Sequence, residues 1–219
     1  MELLLLIKII DFLSSVFLML GFIIGINRKT FNVINLYAIQ SGVLAVLAIL
    51  IGYAHGEDQL FISALFVIII KVLIIPRTLR RTMNKVKIEN DMTPYLSQSL
   101  SMVMETILIV ISYNIVNSVF DPAQLAFKNT LAVSIAVFLI GFFMMINRRR
   151  TLSQVIGFLI MENGLFFFAI SLAYGMPLIV ELGIFFDVLV VAMILGIFIF
   201  KIKESFYSTD TKDLTNLTD

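Results

Sequence analysis

Seven long apolar stretches, each separated from the next by a polar or charged segment, take up most of the chain. They run over 3–26, 31–54, 59–75, 95–117, 125–146, 152–174 and 177–200. Most reach the roughly 20 residues that a helix needs to cross the hydrocarbon core of a bilayer. Within each stretch apolar residues fall on every side of a helix, the pattern of an element surrounded by protein or lipid rather than water. The pattern predicts an all-α membrane protein with seven transmembrane helices and little mass outside the membrane. The first stretch follows Met1-Glu2 rather than a positive segment and is long enough to span, so it reads as a retained helix and not a cleaved signal. The segment 204–219 is rich in Asp, Thr, Lys and Asn and reads as a loose tail.

Charge gives the expected orientation. Of 16 Lys and Arg, 13 fall in alternate turns or the tail: Arg28, Lys29, Arg77, Arg80, Arg81, Lys85, Lys87, Arg148, Arg149, Arg150, Lys201, Lys203 and Lys212. Basic residues collect on the cytoplasmic side, so the N-terminus is expected outside and the C-terminus in the cytoplasm. The basic run from Arg77 to Lys87 suits lipid headgroups on that side. The net charge of +1 creates no field to attract nucleic acid. With no Cys and a single His, His55, the chain offers no thiolate cluster, haem site or multi-histidine metal site. His55 is expected to be solvated in a loop. No phosphate-binding loop, dinucleotide fingerprint or nucleophile triad is present, which argues against an enzyme and against a bound cofactor.

The chain also echoes itself. Gly21-Phe22 and Ile26-Asn27-Arg28-Lys29-Thr30 are matched by Gly141-Phe142 and Ile146-Asn147-Arg148-Arg149, with Thr151 just after. Gln40-Ser41-Gly42 is matched by Glu162-Asn163-Gly164. The reading is two parallel three-helix repeats joined by one linking helix: 1–80 the first repeat, 81–124 a basic loop and the linking helix, 125–203 the second repeat, 204–219 the tail. Gln40 stands where the second repeat has Glu162, so the first copy reads as neutralised.

Chemistry is expected where charge sits in oil. An ionised acid at the bilayer centre costs on the order of 2.5–3.5 kcal/mol on insertion scales, and such groups commonly mark proton or ion pathways. Glu162 lies 10 residues into its stretch, roughly 15 Å deep at the rise of a helix, and Asp187 lies at similar depth in the last. Glu181 is nearer the outer surface. Glu105 belongs to a polar stripe, Gln98, Ser101, Glu105 and Ser112, on one helix face. Lys71 could snorkel toward the cytoplasm or pair with a membrane acid. The candidate proton-transfer residues are therefore Glu162, Asp187, Glu181, Glu105 and Lys71. Lys8 and Asp11, three residues apart, are expected to neutralise each other. The plainer reading of every buried acid is a neutral carboxyl joining helices by a hydrogen bond.

The stretch Gly157-Phe158-Leu159-Ile160-Met161-Glu162-Asn163-Gly164 resembles the second helix of the K subunit of complex I and of the C subunit of Mrp-type cation/proton antiporters. Gly157, Met161 and Asn163 fit that pattern. Leu159 occupies the position of the family glutamate, and Glu162 follows one turn later. Asp187 looks like the acid of the third helix. In length, duplication and acid placement the whole chain resembles hydrogenase-4 component E, a membrane subunit of formate hydrogenlyase-type and related energy-converting hydrogenases. The resemblance implies a non-catalytic subunit of the prokaryotic inner membrane. It would sit among antiporter-like and other membrane-arm subunits, with a hydrogenase or oxidoreductase arm on the cytoplasmic side. Its intramembrane carboxylates would contribute to proton translocation coupled to redox chemistry in those partners. Two alternatives are a subunit of a multi-subunit cation/proton antiporter and a structural spacer bundle with no conducting role.

Overall fold

The computed structural model describes residues 2–86, 92–119 and 128–172. Among the described residues the protein is all-helical, and six helices are long and apolar enough to cross a membrane. The seventh predicted span, 177–200, and the tail lie outside the described residues. Helices α1 (Glu2–Ile26) and α2 (Thr30–His55) form one hairpin. Helix α3 (Asp58–Val67) passes through a π-helical segment, Ile68–Ile74, into α4 (Ile75–Val86). Then come α5 (Gln98–Val119), α6 (Lys128–Asn147) and α7 (Thr151–Leu172), the last two forming a second hairpin.

The helices arise because a chain in hydrocarbon must satisfy its backbone hydrogen bonds internally. Their ends are set locally. Gly56 adopts the left-handed conformation, φ 70°, that closes α2 and that other residues enter at a cost. Asn27 accepts from the Lys29 amide at 3.0 Å in the turn between α1 and α2. The basic segment after the third span, read from sequence as loop from residue 81, remains helical to Val86. Ile75, Leu79 and Met83, spaced four apart, are buried while Arg77, Arg80 and Arg81 face outward, so an amphipathic pattern carries the helix past the apolar run.

Four helices form the centre: α1 packs on α2 and α6, and α7 packs on α6 and α2. Phe17 of α1 meets Phe167 of α7 edge-to-face at 5.1 Å inside this ring. The closest approach is between α6 and α7. A Cβ on Gly141 would stand 2.6 Å from the Met161 Cα and 2.9 Å from the Gly157 carbonyl, and one on Gly164 would stand 2.8 Å from the Phe138 Cα. Bare glycines thus let two backbones touch, the usual means of helix association where lipid removes the hydrophobic driving force. Helix α3 and the π segment lie against α2, and α5 lies against α6 and α1.

Helix α5 is polar inside and apolar outside. Its buried residues are Ser101, Glu105, Ser112 and Val116, whereas Val103, Ile107, Val110, Ile111 and Ile115 are exposed. That inversion of the soluble pattern is what a lipid-facing helix should show.

Candidate functional site: a buried lysine–glutamate pair and a second acid

Lys71 sits within the π segment, where the Ile75 amide bonds the Ile70 carbonyl five residues back. Such widened turns are rare and frequent at functional sites. Here the turn lies against α2 and sends the lysine inward. Lys71 is fully buried, and its Nζ stands 3.1 Å from Oε1 of Glu162 on α7, which is 3 % exposed. The two side chains form a buried ion pair. Lys71 Nζ also donates to Asn163 Oδ1 at 3.1 Å, and Asn163 Nδ2 donates to Ser41 Oγ on α2 at 3.0 Å. The Phe166 ring lies 5.4 Å from the ammonium, adding a face of negative quadrupole to the site. Three elements therefore converge on one buried proton-bearing pair. Of the two alternatives open for Lys71, snorkelling and pairing, the structure takes pairing.

The matched position in the first hairpin is different in kind. Gln40 donates to the Phe17 carbonyl of α1 at 3.3 Å, a neutral contact between neighbouring helices. Ser41 and Asn163, the neighbours of Gln40 and Glu162 in the chain, hydrogen-bond to each other.

Glu105 occupies a separate place. It is fully buried, with its carboxyl lying against the backbone of α1: a Cβ on Gly25 would stand 2.6 Å from its carboxyl carbon. The Ser101 hydroxyl, one turn away on the same face, accepts from Asn147 Nδ2 at 3.0 Å. Beside this group lies Arg148, counted in the sequence only as one of the basic residues that orient the chain. It is 2 % exposed. Its guanidinium donates to the carbonyls of Met92 at 3.0 Å, Gly25 at 2.6 Å and Asn27 at 2.9 Å. Gly25 and Asn27 end α1, so a charged group from the turn between α6 and α7 caps another helix's unpaired carbonyls. The Met92 amide bonds the Arg28 carbonyl at 2.7 Å and the Tyr95 amide bonds the Asn147 carbonyl at 2.8 Å, stitching both turns to the strand of chain before α5.

Planar, bidentate capping of this kind suits Arg and not Lys. Arg148→Lys is expected to lower stability by roughly 1.5–3 kcal/mol, the value of a hydrogen bond to a charged group, measured by thermal denaturation in detergent. Arg149→Lys, whose side chain lies exposed over the Tyr95 ring, should change it little.

Other sequence expectations fall differently. Asp11 accepts from Asn129 of α6 at 3.3 Å, and no ion pair joins it to Lys8 among the described residues. Its partner was set by helix packing rather than by the i, i+3 spacing. His55 ends α2 half-buried, with Nδ1 2.9 Å from the Ile51 carbonyl, rather than standing free in a loop. Gln98 is exposed, so the stripe on α5 turns inward from Ser101 onward. Asp187 and Glu181 lie outside the described residues. Among the described residues no cluster of acids or histidines could hold a metal ion.

Six apolar helices around a buried charge pair define a polytopic membrane protein with an ionisable centre. Along nearly its whole length the chain resembles hydrogenase-4 component E: it is 25 % identical over 201 residues to the proteins of that name from Escherichia coli and Shigella flexneri, covering 91 % of this chain and 93 % of theirs. It is also 27 % identical over 212 residues to an uncharacterised protein of Mycobacterium tuberculosis, covering 96 % of each. No family model matches the chain, and no solved structure matches it.

Proposed function

We propose that this chain is a non-catalytic membrane subunit of a hydrogenase complex, and that Lys71 and Glu162 hold and pass protons within it. The name of the relatives supports the first part. The observation that carries the second is the 3.1 Å contact between a fully buried ammonium and a buried carboxylate. At that distance a turn of the ammonium that aims an N–H at Oε1 would open a direct path for a proton between the two groups. The pair then changes between ionic and neutral forms while its net charge stays at zero. Adding or removing one proton leaves a net charge in a medium of low dielectric, so proton affinity responds to charges on neighbouring subunits. A unit charge 10 Å away at an effective dielectric near 20 acts with about 1.7 kcal/mol, more than a tenfold change in protonation. A redox-driven charge elsewhere in a complex would have that leverage.

Asn163 and Ser41 position the pair. Asn163 accepts a hydrogen bond from the ammonium and donates one to Ser41, so the lysine is aimed at α7 from α2 as well as from its own helix. Contact between Ser41 and Asn163 is in keeping with a parallel repeat whose two copies meet at α2 and α7, and the positive charge of alternate turns supports an N-terminus outside and basic turns in the cytoplasm. Gln40, unable to ionise, would leave the first copy without a counterpart to Glu162.

The test is Glu162→Gln in the assembled complex. Hydrogen turnover at the partner subunits is expected to persist, while proton uptake by inside-out vesicles falls at least about tenfold, as for loss of a general acid or base. Gln40→Leu should leave uptake near the wild-type level. Normal pumping by Glu162→Gln in a fully assembled complex would end the proton reading. Failure of nickel–iron hydrogenase subunits to co-purify with the chain would end the hydrogenase reading instead.

A further inference from the structure

Glu105 is fully buried on α5, and neither carboxyl oxygen has a hydrogen-bond partner among the described residues. A neutral carboxyl that served to join helices would donate its O–H to an acceptor, and none is engaged. Orphaned polar atoms in a core are costly, and each such group calls for a physical reason. The surroundings supply one. Arg148 reaches the same residue of α1 that the carboxyl lies against, Gly25, but its own hydrogen bonds run to the carbonyls of Met92, Gly25 and Asn27. No hydrogen bond fixes the carboxyl in either protonation state.

The other charges on the packed elements are distant or face away. On α1, Lys8 and Asp11 precede Gly25 by at least 14 residues, roughly 21 Å of helix, and Arg28 and Lys29 beyond it are exposed. On α6, Lys128 begins the helix whose far end carries Asn147. Along α5 itself the buried face continues from Glu105 to Ser101, whose hydroxyl meets Asn147 at the basic end of the bundle. Polar atoms therefore lead from the carboxyl toward that end, whereas the outer face of α5 is apolar.

We propose that Glu105 is a second protonatable site of the bundle, one that takes up and releases a proton independently of the Lys71–Glu162 pair. The site stands on α5, α1 and the turn after α6, and it does not depend on the hydrogenase reading. Its test is labelling with dicyclohexylcarbodiimide, a membrane-soluble reagent that adds to protonated carboxyls in apolar surroundings, followed by peptide mass mapping of the full chain in its native membranes. Between about pH 5 and pH 10, adduct at Glu105 is expected to fall at least tenfold. Glu105→Gln should remove that adduct, and Glu162→Gln should leave its pH profile unchanged. Equal labelling at every pH would mean a permanently neutral structural acid, and no labelling at any pH would mean a site that never holds a proton; either overturns the proposal. A pH profile that moved with Glu162→Gln would overturn its independence.

Discussion

Gly141→Leu is expected to prevent α6 and α7 from docking and to remove the folded protein from the membrane. The substituted Cβ would lie well inside contact distance of the Met161 Cα and the Gly157 carbonyl. Those atoms are backbone, so no rotamer change can relieve the clash, and the two helices would have to separate. Separation would also loosen Gly157 and Gly164, which meet the backbone of α6 at Met145 and Phe138 along the same seam. Overpacking of a core typically costs about 1–3 kcal/mol when side chains can shift. Here rigid elements must move, so the loss should exceed that range. Gly42 is a useful control, since a Cβ there meets nothing within 4 Å: Gly42→Ala should be neutral or mildly stabilising, as the removal of a helix-interior glycine is worth roughly 0.5–1 kcal/mol. Accumulation in membranes and melting in detergent report both. Near-normal melting of Gly141→Leu would show that the helix seam is not as close as described.

Lys71→Met is the second large effect. Removing one member of a buried ion pair strands the other, a loss on the order of 3–5 kcal/mol. Glu162→Leu should cost a comparable amount, because the buried ammonium then loses its carboxylate. In the double variant Lys71→Met/Glu162→Leu most of the loss should return, since replacing both partners by apolar groups is often neutral. Recovery should stop short of complete because Asn163 Oδ1 loses its donor. Proton translocation should fail in all three. Thermal melts of the four proteins close a double-mutant cycle, and additive single losses would mean that the two charges do not sense each other.

The span-length helices were legible because hydrocarbon imposes one requirement, a run of apolar residues about as long as the bilayer is thick. The acids were legible for the opposite reason: in such a run a carboxyl has no cheap explanation. Which partner each would find was less accessible. Lys71 is within reach of the basic turn by length alone, and only the packing of the π segment on α2 decides that it points to α7. That segment leaves no mark in the sequence, since an Ile- and Val-rich stretch looks the same whether its hydrogen bonds reach four residues or five. Arg148 was missed for a related reason. Three successive arginines announce a turn, and nothing in the run says which one folds inward; the earlier counterpart Arg28 stays exposed. Ser41 and Asn163 stand at matched places beside Gln40 and Glu162 in the sequence, but their hydrogen bond depends on how α2 and α7 face each other.

The lysine comes from the N-terminal helices and the glutamate from the C-terminal ones. A chain divided between residues 86 and 128 would give one fragment with a stranded cation and another with a stranded anion, each penalised in oil. Neither fragment is electrically complete. The pair therefore does for assembly what a keyed connector does for a cable: correct mating is the arrangement in which both charges vanish from the lipid's view, and misaligned mating is rejected by the energy of an exposed ion.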